Sequence, residues 1–361
     1  MSANFRMHVL GLPQIGTTRD YWLCGFCPKI MLFCRMMKEL GHTVILYTSE
    51  ENEVQCDEVV TVITKAEQAA YLKGTPFIFA PFKLGYAMWD ETNKRMAAEI
   101  ARRKQPRDFI CTVGGVTQKP VTDAHPDLMA VEIGVGYEGI FAPYVVFESH
   151  SWRQYLYGKY GTPDGRFFDT VIPNYFDPED FPLVAEKQDY LLYAGRITPR
   201  KGIAVAIETA QRSGLPLRLV GPATPADLRT CLSALPAGCE YLGVVSKEER
   251  TKLMGEARAV LMPTLYNEPF GSVAIEANLS GTPLITTDYG SFPEIIQNGV
   301  NGYRANLLRE FVSAVKLVGS LDPAGIRGRA VAKYSIEAVK PLYAAYFDKI
   351  ATLWGQGWYA A

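Results

Sequence analysis

EPFGSVAIE, residues 268–276, lies between an apolar run that ends in a turn (RAVLMPTLYN, residues 258–267) and a second turn followed by a strand (SGTPLITTDYG, residues 280–290). Pro269 and Gly271 interrupt regular backbone, and residues 272–279 then read as a helix with Val273, Ile275 and Ala277 among its apolar positions. Glu268 is therefore expected on a loop and Glu276 inside the helix. At a rise of ~1.5 Å per residue plus the loop, their carboxylates should stand on the order of 10 Å apart. Between them lie backbone N–H groups at a helix N-terminus, which carries about half a positive charge and suits an anion. Two hydrogen-bond-accepting carboxylates with an anion site between them suit a sugar–diphosphate–ribose ligand.

Upstream, residues 190–194 (YLLYA) read as a buried strand, and Gly195-Arg196 follow it. Lys201-Gly202 open a helix that runs to Arg212. An arginine and a lysine at one strand-to-helix turn can converge on a diphosphate, the first as a planar fork and the second as a point charge. Residues 217–220 (LRLV) and 240–245 (EYLGVV) read as further strands. Ser246 opens a capping box, S-K-E-E.

These residues carry a family resemblance. EPFGSVAIE resembles the E-x7-E motif of retaining glycosyltransferases of group 1 (GT4), and GRITPRKG resembles their GR…KG segment. The resemblance implies a GT-B fold: an α/β chain of two Rossmann-like, doubly wound lobes facing across a cleft. It also implies sugar transfer from a nucleotide-diphospho-sugar to an acceptor hydroxyl with retention. Glu268 would touch the donor sugar, Glu276 would hold the ribose, and Arg196 and Lys201 would bind the diphosphate. Gly195, Val244, Phe270, Gly271 and Ser272 complete the expected donor site. Where the family has a Gly-Gly pair, this chain has Gly290-Ser291, so a looser loop is expected there.

The first half opens with a strand at residues 7–12, a loop containing Gly16, a helix at residues 28–40, the stop Gly41 and a strand at residues 43–47. That is the first βαβ unit of a doubly wound sheet. Counting back from Gly41 places the family's first-lobe glycine loop at residues 23–26, of which only Gly25 is glycine; it is the candidate phosphate contact. Further strands are expected at residues 59–63, 76–80 and 109–113. His125 (TDAHPD) and His150 (FESHSW) are the candidates for a sugar-contacting histidine in the first lobe. Trp354 and Trp358 are candidate anchors for a last helix crossing back onto that lobe. The expected lobes are residues 1–173 (acceptor side) and 174–334 (donor side), with residues 335–361 forming the crossing helix.

Other motifs read as structural. Cys24-x-x-Cys27 has no second ligand pair to make a metal site. The GxGxxG at residues 134–139 is followed by Pro143 where a phosphate-binding helix should run, which argues against a dinucleotide enzyme. Lys94, Arg95, Arg102, Arg103, Lys104 and Arg107 make residues 91–107 basic. This is either a solvated helix face or a peripheral patch for anionic lipid or an anionic acceptor.

Composition bounds the rest. Of the 361 residues, 48% are hydrophobic and 21% charged, which fits a globular chain, and the net charge of −1 gives no general attraction to nucleic acid. Seven scattered cysteines, no basic-then-apolar leader and no apolar run long enough to span a bilayer suggest a cytoplasmic protein. No D-x-D occurs, so a donor diphosphate would be neutralised by Arg196, Lys201 and the helix N-terminus at Gly271, and no metal or cofactor is expected. A glycoside hydrolase would leave Arg196 and Lys201 without a role. A nucleotide-sugar epimerase or a non-catalytic nucleotide-sugar-binding protein of the same fold remains the alternative. Donor nucleotide and acceptor are open.

Overall fold

A computed structural model describes residues 4–356 and divides the chain into two compact units. Trp358 lies outside the described residues. The first unit runs to Glu148 and adds Leu156–Tyr175 and the chain from Val339 onward; the second comprises Ser149–Tyr155 and Phe176–Ala338.

The first unit is built on seven strands: β1 (Arg6–Leu10), β2 (Thr43–Ser49), β3 (Glu58–Ile63), β4 (Phe109–Thr112), β5 (Met129–Val135), β6 (Tyr144–Phe147) and β7 (Thr170–Val171). Their order is β3-β2-β1-β4-β5-β6-β7, and every pair is parallel. A parallel sheet is covered by helices on both faces, so its central strands bury every residue rather than alternate residues. FICT and MAVEIGV are buried throughout. One core face gathers Leu10, Ile45, Tyr47, Ile100 and Ile110. Tyr343 and Phe347 of the last long helix, Ile336–Ala351, pack edge-on and tilted against Phe33, and Trp354 lies 4.6 Å from Phe109.

Residues 76–80, expected as a strand, form instead a single 3₁₀ turn, Phe77–Phe79. Pro76 and Pro81 bracket it, and neither has an N–H to offer a ladder. The helix expected at residues 28–40 is Cys27–Glu39, with Pro28 in its first turn.

The second unit carries β8 (Gln188–Ala194), β9 (Leu217–Val220), β10 (Cys239–Gly243), β11 (Ala257–Met262), β12 (Leu284–Thr287) and β13 (Gly302–Ala305). The order is β10-β9-β8-β11-β12-β13, again wholly parallel. The period-two geometry of a strand divides its apolar residues between two cores. Tyr190, Leu192, Ala194, Val260 and Met262 face one, and Leu191, Tyr193, Ala259 and Leu261 face the other. Each fully buried leucine contributes about 1.5–3 kcal/mol. A shift of one residue in β8 or β11 would exchange the two sets, so the register is strongly fixed. Chain order reverses between β8 and β11, and in open α/β sheets ligands bind beyond the carboxyl ends of strands at such a reversal.

Candidate functional site

The segments after β8 and β11 are the two that the sequence marks. They are locked together by backbone. Gly202 has φ +76°, and a Cβ there would stand 1.8 Å from the carbonyl oxygen of Pro263. Only glycine allows the turn before helix Ile203–Ser213 to come this close to the end of β11. Leu265 N–H donates to the Arg200 carbonyl at 2.9 Å, completing the contact.

This packing brings Lys201 Nζ to 2.6 Å from Glu268 Oε2. The Tyr266 hydroxyl donates to the same oxygen at 2.8 Å. The Arg200 guanidinium lies 4.1 Å from the Tyr266 ring centre and Lys201 Nζ 4.9 Å from it, both cation–π contacts. Burial, then the negative charge of Glu268, push the Tyr266 hydroxyl well above the ordinary phenol range, so it remains a donor. Arg196 is exposed beside this cluster, and its carbonyl accepts from the Tyr193 hydroxyl at 2.9 Å. A buried carboxylate, a lysine able to exchange partners and an unpaired exposed guanidinium therefore occupy the strand reversal.

Gly271, at φ +80°, turns the chain into helix Ser272–Leu279. Phe270 is buried in the core with its ring 5.9 Å from Tyr334, so its side chain fixes the loop from beneath. The loop after β12 closes over it. A Cβ on Gly290 would stand 2.6 Å from Glu268 N, Ser291 N–H donates to the Glu268 carbonyl at 3.1 Å, and Ser291 Oγ donates to the Phe270 carbonyl at 2.8 Å. The looser loop expected from Gly290-Ser291 is thus tight: the serine hydroxyl ties it down. Glu276 is ion-paired to Arg250 of helix Lys247–Glu256. Gly195 follows β8, and Val244, more than half exposed, follows β10. Tyr266 and Arg250 went unmarked in the sequence. Each lies outside any motif and is set by a tertiary contact.

The first unit is different at its own reversal, between β1 and β4. Gln118 bridges the two: its Oε1 accepts from Val113 and Gly114 N–H at 3.0 and 2.8 Å, and its Nε2 donates to the Gly11 carbonyl at 2.9 Å. Lys29 and Glu148 form a buried ion pair, and Lys29 Nζ also donates to the Gly134 carbonyl at 2.7 Å. A Cβ on Gly134 would stand 2.7 Å from Lys29 Cδ, which explains the first glycine of the GxGxxG without a nucleotide. Gly25 is exposed, with nothing in the protein within 4 Å of a Cβ placed there. Cys27 is buried and its thiol is pushed up to about 12 by burial, which disfavours the reactive thiolate; all seven cysteines are free.

Among the described residues neither histidine bonds to Lys201, Tyr266 or Glu268; His150 Nδ1 instead lies 3.4 Å from Arg153 Nη2. His125 precedes β5, at the amino ends of the strands; its ring bonds to the Ala97 carbonyl at 2.9 Å. Strand direction, invisible in the tripeptide around it, puts it at the edge away from the reversal's ligand side. His150 is exposed; its backbone N–H and that of Ser151 donate to Glu294 at 2.9 and 2.7 Å. The basic helix is Ala87–Arg103. Arg95 pairs with Glu67 and Glu91, Arg102 with Glu99, Arg103 with Glu58 and Glu99, and Lys104 with Asp127. These ion pairs, some within the helix and others to carboxylates remote in sequence, favour the solvated-face reading of residues 91–107. Among the described residues, no helix is long and apolar enough to cross a membrane.

Residues 177–306 match the family model described as glycosyl transferases group 1. Glycogen synthase of Mycobacterium tuberculosis is 32% identical over 175 residues, covering 45% of this chain and 42% of that protein. Phosphatidyl-myo-inositol mannosyltransferase of the same organism is 28% identical over 177 residues, 45% and 47% of the respective chains. The chain therefore spans less than half the length of these curated relatives. Sucrose-phosphate synthase of Thermosynechococcus elongatus superimposes with a TM-score of 0.71 at 17% identity, over 96% of this chain and 99% of that one. At that identity the likeness speaks to fold, and the fold is GT-B.

Proposed function

We propose that the chain, whose residues 177–306 match the glycosyl transferases group 1 model, is a retaining glycosyltransferase of that family. It moves a sugar from a nucleotide-diphospho-sugar to an acceptor hydroxyl. The observation that carries this reading is the Lys201–Glu268 pair at the β8/β11 reversal, with Arg196 exposed beside it.

Transfer separates charge, because the anomeric carbon becomes cationic while the nucleoside diphosphate leaves as an anion. Arg196 and Lys201 supply fixed positive charge where that anion develops, and such preorganised groups do not have to reorient from water at the moment of reaction. Donor phosphate competes with Glu268 for Lys201. Glu268 is then released to accept hydrogen bonds from donor sugar hydroxyls, with Tyr266 still donating to it. We assign Glu268 a binding and orienting role and no covalent step. Glu276, held by Arg250, accepts from the ribose hydroxyls. Gly195, Val244, Gly271 and Ser272 line the remainder of the donor, and Phe270 supports them. With the cations so supplied, no metal requirement is expected.

The test is release of nucleoside diphosphate from UDP-, GDP- and ADP-sugars in EDTA, followed with and without a panel of saccharide and lipid acceptors, and the product anomer read by NMR. Acceptor-dependent release with retained configuration is the expected result. An epimerised nucleotide-sugar without acceptor, or a donor bound and left intact with every acceptor, would replace the proposal with the epimerase or binding-protein reading.

A further inference from the structure

The second unit holds a cavity of about 580 Å³ that none of Arg196, Lys201, Tyr266, Glu268 or Glu276 lines. Its walls come from β13, the short helix Phe292–Ile295, the loop that follows it and helix Pro323–Tyr334. Three cations line it: Arg304 from β13, and Arg329 and Lys333 four residues apart on the last of these helices.

The hydrogen-bond inventory of the cavity is one-sided. Arg304 spends Nη1 on Asp288 at 2.7 Å, but its Nε is buried without a partner. Arg329 donates to the Gln297 amide oxygen at 2.8 Å and Lys333 to the Glu294 carbonyl at 3.0 Å; among the described residues neither forms a salt bridge, and the Glu294 carboxylate acts on Lys333 only through space. The Glu294 carboxylate already accepts from His150 and Ser151 N–H. The side-chain amides of Asn278 and Asn301 are bonded to one another at 2.7 Å and to backbone, forming a fixed floor. What the cavity offers a visitor is therefore donors and positive charge. Two like charges at i, i+4 on one helix also repel, a cost that a bound anion removes.

We propose that this cavity binds a small-molecule phosphate monoester. Phosphate is an acceptor-only dianion matched to guanidinium and ammonium donors. The volume lies within the ~300–1,000 Å³ of small-molecule sites and exceeds what bare phosphate fills, leaving room for an organic body against Ile295, Ala330 and Tyr334. The site is separate from the donor site, yet one segment serves both. Ser291 holds the Glu268 loop, and the helix that starts at Phe292 forms the cavity wall.

Isothermal titration calorimetry of the full chain with ribose 5-phosphate, ribose and inorganic phosphate tests this. Ribose 5-phosphate should bind with a submillimolar Kd, ribose should give no heat, and inorganic phosphate should bind about tenfold more weakly. The Arg329→Ala/Lys333→Ala double variant should raise the Kd about tenfold or more, and Arg304→Lys, which keeps the charge toward Asp288 but loses Nε, should raise it severalfold. Arg196→Ala/Lys201→Ala and saturating UDP should leave it unchanged. Absence of heat at millimolar ribose 5-phosphate, competition by UDP, or loss of binding only in the Arg196/Lys201 variant would overturn the proposal. The first of those outcomes leaves the donor-site reading untouched, and the other two would move the phosphate ester into the donor site.

Discussion

Both units are doubly wound parallel sheets, yet their strand reversals are furnished differently. At β8/β11 the loops deliver Lys201 and Tyr266 to one carboxylate oxygen of Glu268, with Arg196 in solvent beside them. At β1/β4 the neutral Gln118 stitches the strand ends together, and the Lys29–Glu148 ion pair of the same unit is buried. The same architecture thus carries accessible charge in one place and satisfied, sequestered polarity in the other. The first arrangement is built to exchange partners with a ligand, and the second to hold backbone.

That contrast is exposed most sharply by breaking the two ion pairs. Lys29→Met strands Glu148 without its cation in a buried setting and should cost about 3–5 kcal/mol of stability, measured by urea unfolding. The double variant Lys29→Met/Glu148→Leu should recover most of it. A Lys29→Met protein of unchanged stability but altered turnover would move that pair from structure to chemistry.

Lys201→Ala should do the opposite. It should lower kcat by about 10²–10³-fold in EDTA and cost less stability than Lys29→Met, because Lys201 is partly open to solvent and Tyr266 still donates to Glu268. Glu268→Gln keeps the shape and loses the charge, and should lower turnover by a similar order.

Glu132 on β5 sharpens the comparison through pH. Burial raises its carboxyl to about 7, outweighing the hydrogen bonds it accepts from Phe141 and Ala142 N–H and from Tyr137. Its folded pKa lies above the unfolded value, so between roughly pH 4.5 and 7 the folded state binds more protons. Stability from this group is full below the unfolded pKa and falls as pH rises through the folded one. Glu132→Gln should flatten the pH dependence of Tm across that window, an effect of about 3 kcal/mol at its upper end. An identical slope in wild type and variant would remove Glu132 from the account.

The smallest expected effect concerns nucleotide affinity. Glu276→Ala should weaken nucleotide binding about tenfold, and Arg250→Ala somewhat less, since Arg250 acts by orienting Glu276. Calorimetric Kd values for both variants check the order.

The sequence was legible where function and fold used the same residues. Pro269, Gly271 and the apolar spacing after them mark a loop–helix junction, and the two glutamates come with it. The turn at Gly195-Arg196 and the cap at Gly202 are similarly marked by glycine. Legibility failed where a contact joins distant segments. Arg250 reaches Glu276 from another helix, Tyr266 is an ordinary loop tyrosine until Glu268 folds beside it, and Lys29 meets Glu148 more than a hundred residues along the chain. The charges of the 91–107 region read as free because Glu58, Glu67 and Asp127 are remote in sequence. His125 looked suitable by its loop, but the direction of β5 decides its side of the sheet. Ser291, read as a weakness in the loop, is one of its hydrogen-bond ties.

The most direct test of the central claim, that the β8/β11 reversal holds a nucleotide-diphospho-sugar, is a thermal-shift titration. UDP, GDP and ADP would be titrated in EDTA on wild type, Lys201→Ala and Glu276→Ala. A nucleotide at ~100 times its Kd adds about 2.7 kcal/mol and raises Tm by a few degrees. The account predicts that one nucleotide stabilises the wild type and that both variants lose most of the shift. No shift with any nucleotide, or an equal shift in all three proteins, would contradict it.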